Sequence, residues 1–144
     1  MDLKHRHVII AGFGPVGRMV ADRLKSAQLQ ITVIDLNGQT IKRQQRLQRR
    51  TVHGDATDPQ VLRDAGIDSA DALILAIPDE KATLQACRVA RRLRREIFIE
   101  ARANHLSTAM LCTQAGADHV VIEEVVTAEA MGQAVVNKLL NNRN

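Results

Sequence analysis

Short apolar runs, each followed by a segment of helix length, recur along the whole chain. The runs are residues 7–11 (HVIIA), 30–35 (QITVID), 51–53 (TVH), 72–77 (ALILAI), 96–101 (EIFIEA) and 119–122 (HVVI). Strands joined by helix-length crossovers pair in parallel, and the crossovers bury both faces of the sheet they make. The expected fold class is therefore α/β, a Rossmann-like doubly wound parallel six-stranded sheet with helices on both faces. Helix starts are marked by Pro15 in a first turn, by Asn37, by Asp58 ahead of Pro59, by Asp79 and by Asn104. Gly66 and Gly116 mark helix ends. Apolar residues between Thr127 and Leu140 predict a last helix, over about residues 127–142, whose apolar face is wide enough to pack on two surfaces and so hints at a partner subunit. No linker or repeat divides the chain, and residues 1–144 read as one domain.

The first run feeds the stretch HVIIAGFGPVGRMV, which places Gly12, Gly14 and Gly17 at GxGxxG spacing. Gly12 permits the tight turn out of the strand, Gly14 lets backbone approach a phosphate, and Gly17 lets the helix pack close to the sheet. The helix stripe Val16, Val20, Leu24 and Ala27 fits burial, and the helix start offers unpaired N–H groups to an anion. Asp35 closes the second run. A carboxylate there can accept hydrogen bonds from both ribose hydroxyls of an adenosine and repels a 2′-phosphate, which favours NAD or another adenine nucleotide over NADP. The other reading of Asp35 is a cap on the turn before Asn37 and Gly38.

Catalysis finds little support in the same residues. There is no tyrosine to serve a Tyr-Lys acid pair, no histidine with a carboxylate partner stands out at a strand end, and no second domain follows to hold a substrate. The expectation is no catalytic residue and a nucleotide acting as a signal, with a small NAD-dependent oxidoreductase, or a fragment of one, as the alternative. The formal charge is +4, and its excess concentrates in CRVARRLRR, where Arg88, Arg91, Arg92 and Arg95 fall on the outer side and last turn of one helix. That cluster reads as a solvated face or as a nucleic-acid patch; two phenylalanines and no Tyr or Trp leave little to stack on bases, which favours the face. Cys87 and Cys112 lack CxxC spacing and read as reduced buried thiols, and the five histidines lack zinc-ligand spacing, so no metal is expected. The opening MDLKHRH lacks the apolar core of a secretory signal, and no uncharged apolar run approaches a membrane span. Cytoplasmic location without direct membrane insertion is the expectation.

Beyond the glycine loop, the blocks VID, VHGDATDPQVLRDAGIDSADALILAIPDE, IEARA and LCTQAGADHVVIEE resemble the N-terminal subdomain of RCK domains, regulators of K+ conductance in Trk and Ktr uptake systems, potassium channels and Kef-type potassium/proton antiporters. The resemblance spans about residues 7–140. It implies a cytoplasmic gating domain at the inner face of the membrane that binds NAD(H), AMP, ADP or ATP, pairs into homodimers through its last helix, and acts on a membrane partner or membrane domain. It implies that Gly12, Gly14 and Val16 contact the phosphates and Asp35 the ribose, with Pro15, Gly17 and Leu36 also counted among the cofactor-binding residues. Asp55 and Ala56 would meet the adenine edge, Ala76 would border the ribose side, and Arg102 would face the phosphates. The readings left beside these are helix capping for Asp55 and a plain surface cation for Arg102. Two positions depart from the family pattern. Pro15 stands where many members carry a phosphate-binding arginine, and Arg18, one residue late, would point about 100° away. Glu124 matches a glutamate that some relatives use at an intersubunit cation site, but Glu123 replaces the preceding proline; a helix N-terminal charge is the simpler reading.

Overall fold

The computed structural model describes residues 3–142. It is built from β1 (His7–Ala11), α1 (Pro15–Lys25), β2 (Gln30–Asp35), α2 (Gly38–Arg46), β3 (Arg50–His53), α3 (Pro59–Asp64), β4 (Ala72–Leu75), α4 (Glu80–Leu93), β5 (Phe98–Ala103), α5 (Leu106–Ala115), β6 (His119–Ile122) and α6 (Glu123–Asn141). The six strands pair in parallel in the order β3-β2-β1-β4-β5-β6, with the order reversing beside β1. This is the expected doubly wound Rossmann-like sheet, and its carboxyl edge carries the crevice where open α/β sheets bind ligands.

Alternation along β1 sorts the core. Ile9 and Ala11 join Leu62, Leu73, Leu75, Ala86, Cys87, Ile99 and Cys112 on the face covered by α3, α4 and α5. Val8 and Ile10 join Phe13, Ala21 and Val33 on the face covered by α1, with Val20 and Leu24 packed against them. Val16 does not complete that stripe. It is 39% exposed and lines the open half over β5 and β6.

Several boundaries move. The run expected over 96–101 pairs as β5 over Phe98–Ala103, since Arg95 and Glu96 are spent on the turn out of α4. Arg102 is consequently inside a strand. The fourth strand stops at Leu75, leaving Ala76 and Ile77 in the loop above it. The N-cap of α5 is His105 and not Asn104, whose backbone N–H is held by the Glu80 Oε1 at 2.9 Å. The last helix begins at Glu123, where two glutamates suit the positive end of the helix. It buries no residue at all.

Candidate functional site

The glycine loop lies between β1 and α1. Gly12 has φ +87°, and a Cβ there would sit 2.8 Å from the Ala76 carbonyl oxygen, so both conformation and space demand glycine. A Cβ on Gly17 would lie 2.1 Å from the Gly12 carbonyl oxygen, because α1 leans on its own entry turn. Gly14 differs from both. Its φ is −77°, and nothing lies within 4 Å of the place its Cβ would take. Neither strain nor packing asks for glycine there, and the open space lies at the start of α1, where backbone N–H groups are unpaired. That vacancy in the packing fits a nucleotide phosphate.

Asp35 ends β2 under this loop. Its Oδ2 accepts from the Phe13 N–H at 2.7 Å and its Oδ1 from the Asn37 N–H at 2.7 Å. The capping reading is therefore correct, and so is the room for more: each oxygen keeps a free lone pair, enough for two ribose hydroxyls. A cavity of about 280 Å³ opens beside it, lined by Gly12, Gly14, Asp35, Leu36, Asp55 and Ala56 among others. Leu36 is exposed at the mouth, and its carbonyl is held by the His53 Nε2 at 2.9 Å. The Asp55 Oδ1 accepts from the Thr57 N–H at 2.8 Å and the Thr57 hydroxyl at 2.7 Å, while Asp58 is the cap of α3. Asp55 thus shapes the turn before α3 without capping it.

The same cavity is lined by Ile34, Gly54, Ile77, Pro78 and Ala82, none of which the motif reading singled out. Two of them had a signal, since residues 54 and 77 follow strand ends at the carboxyl edge. The far wall is fixed by Thr83, fully buried, whose hydroxyl donates to the carbonyls of Ile77 at 3.2 Å and Asp79 at 3.0 Å.

Val16, Ala76 and Arg102 line a different cavity, of about 630 Å³, on the other side of the loop between α1, the ends of β4 to β6 and α6. Pro15 and Gly17 line neither. Within the larger cavity the Arg102 guanidinium is paired with the Glu123 carboxylate at 2.5 and 2.7 Å. Arg18 folds back toward the loop, its Nε donating to the Phe13 carbonyl at 3.3 Å, and so returns a cation to the neighbourhood that Pro15 leaves without one. Glu124 accepts from the His105 Nδ1 at 2.9 Å, and among the described residues no group of three His, Cys, Asp or Glu side chains could hold a metal.

The arginine cluster is not a uniform solvated face. Arg91 donates to the carbonyls of Gly116, Arg95 and Ile97 and pairs with Asp118 at 2.7 Å, which makes it a structural clamp between α4 and the α5–β6 turn. Arg95 lies beyond the end of α4. Cys87 and Cys112 are both buried, and desolvation pushes the Cys87 thiol up to about 12.

Comparison with known proteins places these features in a family. The profile of the TrkA-N domain matches residues 8–123. The chain is 30% identical over 139 residues to the glutathione-regulated potassium-efflux system protein KefC of Cronobacter sakazakii, covering 96% of this chain and 22% of that protein. It is 26% identical over 137 residues to potassium channel protein 1 of Methanocaldococcus jannaschii, covering 92% of this chain and 40% of that protein. It therefore spans less than half the length of either relative. Among solved structures, the TrkA-N domain of the inner membrane protein ybaL from Escherichia coli superposes with a TM-score of 0.87 at 26% identity, covering 90% of this chain and 96% of that one. The GsuK channel bound to NAD gives 0.80 at 31%, covering 92% and 24%. The Kef C-terminal domain of Shewanella denitrificans in its AMP-bound form gives 0.80 at 25%, covering 93% and 81%.

Proposed function

Because the chain belongs to the TrkA-N domain family, we propose that it is an adenine-nucleotide-binding regulatory domain that controls a potassium channel, transporter or potassium/proton antiporter through a ligand-dependent change of conformation. The observation that carries this reading is the cavity edge itself. A glycine with no internal reason to be glycine faces a carboxylate whose two oxygens are positioned by backbone and still open to donors. The NAD-bound and AMP-bound relatives supply the ligand class, NAD(H) or AMP, ADP and ATP.

On this reading the start of α1 receives the phosphates, Asp35 holds the ribose hydroxyls, and the pocket by Asp55 and Ala56 takes the adenine. The Asp35 charge disfavours a 2′-phosphate. A dinucleotide would cross the loop toward Val16, Ala76 and Arg102, whereas a mononucleotide would leave that cavity free. The domain acts by binding and not by catalysis; its relatives bear the names of potassium-transport proteins, and the chain has no tyrosine to serve as a general acid. It works in the cytoplasm against a membrane-embedded partner or membrane domain, and pairs with a second copy through α6. Among the described residues no helix is long and apolar enough to cross a membrane.

Isothermal titration with AMP, ATP, NAD+ and NADH tests the site. One of these is expected to bind, and Asp35→Ala to weaken it about a hundredfold or more, since two hydrogen bonds to a charged acceptor are removed. Absence of heat with all four ligands overturns the reading.

A further inference from the structure

In this topology every strand starts, and each of α1 to α5 ends, on the edge of the sheet opposite the glycine loop. That rim is basic. Arg46, Arg50, Arg63, Arg92 and Arg95 are exposed there, and none of them has a carboxylate within 4 Å among the described residues. Lys25 adds a further exposed cation at the end of α1. The unpaired carboxylates of the same rim are fewer, Asp22, Asp68 and Glu96, with Asp64 accepting from Gln60 and with Asp71 and Asp118 already bound to Arg6 and Arg91. Favourable pairing with helix dipoles explains a basic last turn. It does not explain Arg50, in a strand, or Arg95, in a loop.

Two large apolar side chains stand among these cations. Leu47, the residue after α2, is 68% exposed, and Phe98, the first residue of β5, is 47% exposed. Phe98 opens β5, which lies four strand spacings, roughly 19 Å, from β3, the strand that Leu47 precedes by three residues. Unpaired arginines interspersed with an exposed Leu and Phe match the composition of surfaces that rest on anionic bilayers, where cations meet headgroup phosphates and apolar side chains enter the acyl boundary. Nucleic acid fits less well. Phe13, beneath the Arg49 guanidinium at 5.4 Å, is buried, which leaves Phe98 as the only exposed Phe, Tyr or Trp among the described residues.

We infer that this rim is a docking surface for an anionic lipid membrane, with Arg46, Arg50, Arg63, Arg92 and Arg95 meeting the headgroups and Leu47 and Phe98 entering the interface. It lies on the edge opposite the nucleotide cavity, so the inference does not depend on which nucleotide is bound, or on whether one is. Phosphatidylcholine vesicles doped with phosphatidylglycerol are expected to co-sediment the 144-residue chain, and pure phosphatidylcholine vesicles to leave it in solution. Arg46→Gln combined with Arg63→Gln and Arg92→Gln should lower partitioning about a hundredfold, at roughly fivefold per cation, and raised salt should lower it as well. Leu47→Ser with Phe98→Ser should weaken binding while leaving its salt dependence in place. A melting curve equal to the parent's certifies that each variant folds, and the parent with the two vesicle types decides the matter if a variant does not. Equal capture by doped and pure vesicles overturns the inference. So does release from the vesicles by duplex DNA at the same phosphate concentration, which would make the rim a nucleic-acid surface.

Discussion

Gly14 and Gly17 lie one helical turn apart and answer to different forces. Gly17 is required by the fold, because its added Cβ would meet the Gly12 carbonyl at 2.1 Å and that oxygen belongs to a loop that cannot retreat. Gly17→Ala is expected to destabilise the domain by about 1–3 kcal/mol, read as a lower midpoint in denaturant. Gly14→Ala is expected to leave stability within about 0.5 kcal/mol. The gain from a less flexible unfolded chain is offset by the poorer N-cap. Nucleotide affinity should fall in this second variant, since the methyl group fills the space at the start of α1. Equal loss of stability in both would mean that Gly14 serves packing and not a ligand. These two residues and Asp35 are legible in sequence because their work is local: a turn, a close approach, a carboxylate one strand away. Arg91 is not. Besides the nearby Arg95 and Ile97 carbonyls it binds Gly116 and Asp118, residues brought to it only by the packing of α4 against α5 and β6, so that in sequence it looks like one more surface cation.

At the scale of elements, apolar runs locate strands but do not phase their ends. In β5 the run 96–101 includes Glu96 and Ile97, which complete the turn from α4, and omits Arg102 and Ala103, which pair with Val121 and Ile122. No local pattern distinguishes these choices, because β6 decides them. The start of α5 falls one residue later than the capping signal, with His105 as N-cap, while the Asn104 N–H is bound by Glu80, which sits in the first turn of α4 and also accepts from the Thr108 hydroxyl. Glu80 therefore ties the α4 start to the β5–α5 junction. The Thr108 hydroxyl, and after it the Asn104 N–H, hold the Glu80 carboxyl below its usual range. A carboxylate with a folded-state pKa below its unfolded one adds stability above the unfolded pKa and loses it as pH falls through the folded value. Glu80→Gln is accordingly expected to melt earlier than the parent near neutral pH. The gap should close in acid, below the ordinary glutamate range, as the parent protonates. A gap independent of pH would show that the ionised form contributes nothing.

The whole molecule is lopsided. The sheet is covered on one face by α3, α4 and α5, whereas the other face is packed under α1 and α2 and left open over β5 and β6, where the cavity of about 630 Å³ lies. Beside that opening runs α6, nineteen residues with none buried and with Val125, Val126, Met131, Val135, Val136, Leu139 and Leu140 all exposed. A helix without tertiary packing is marginal in water, and apolar side chains spread along its length favour coverage by another surface. A second copy offers the matching pair, an open apolar sheet face and an exposed helix, so that each α6 can cover the other chain in an isologous contact. Sedimentation is expected to give twice the 15.9 kDa of one chain. Val135→Glu combined with Leu139→Glu should weaken association about a hundredfold or more, because two buried apolar side chains are exchanged for charges. Amide hydrogens of residues 131–141 should then exchange quickly while those of β1 and β4 stay protected, since the sheet core does not rest on α6. A parent chain that sediments at 15.9 kDa at high concentration, with slow exchange in α6, would mean that the helix is stable uncovered and that no second copy is needed.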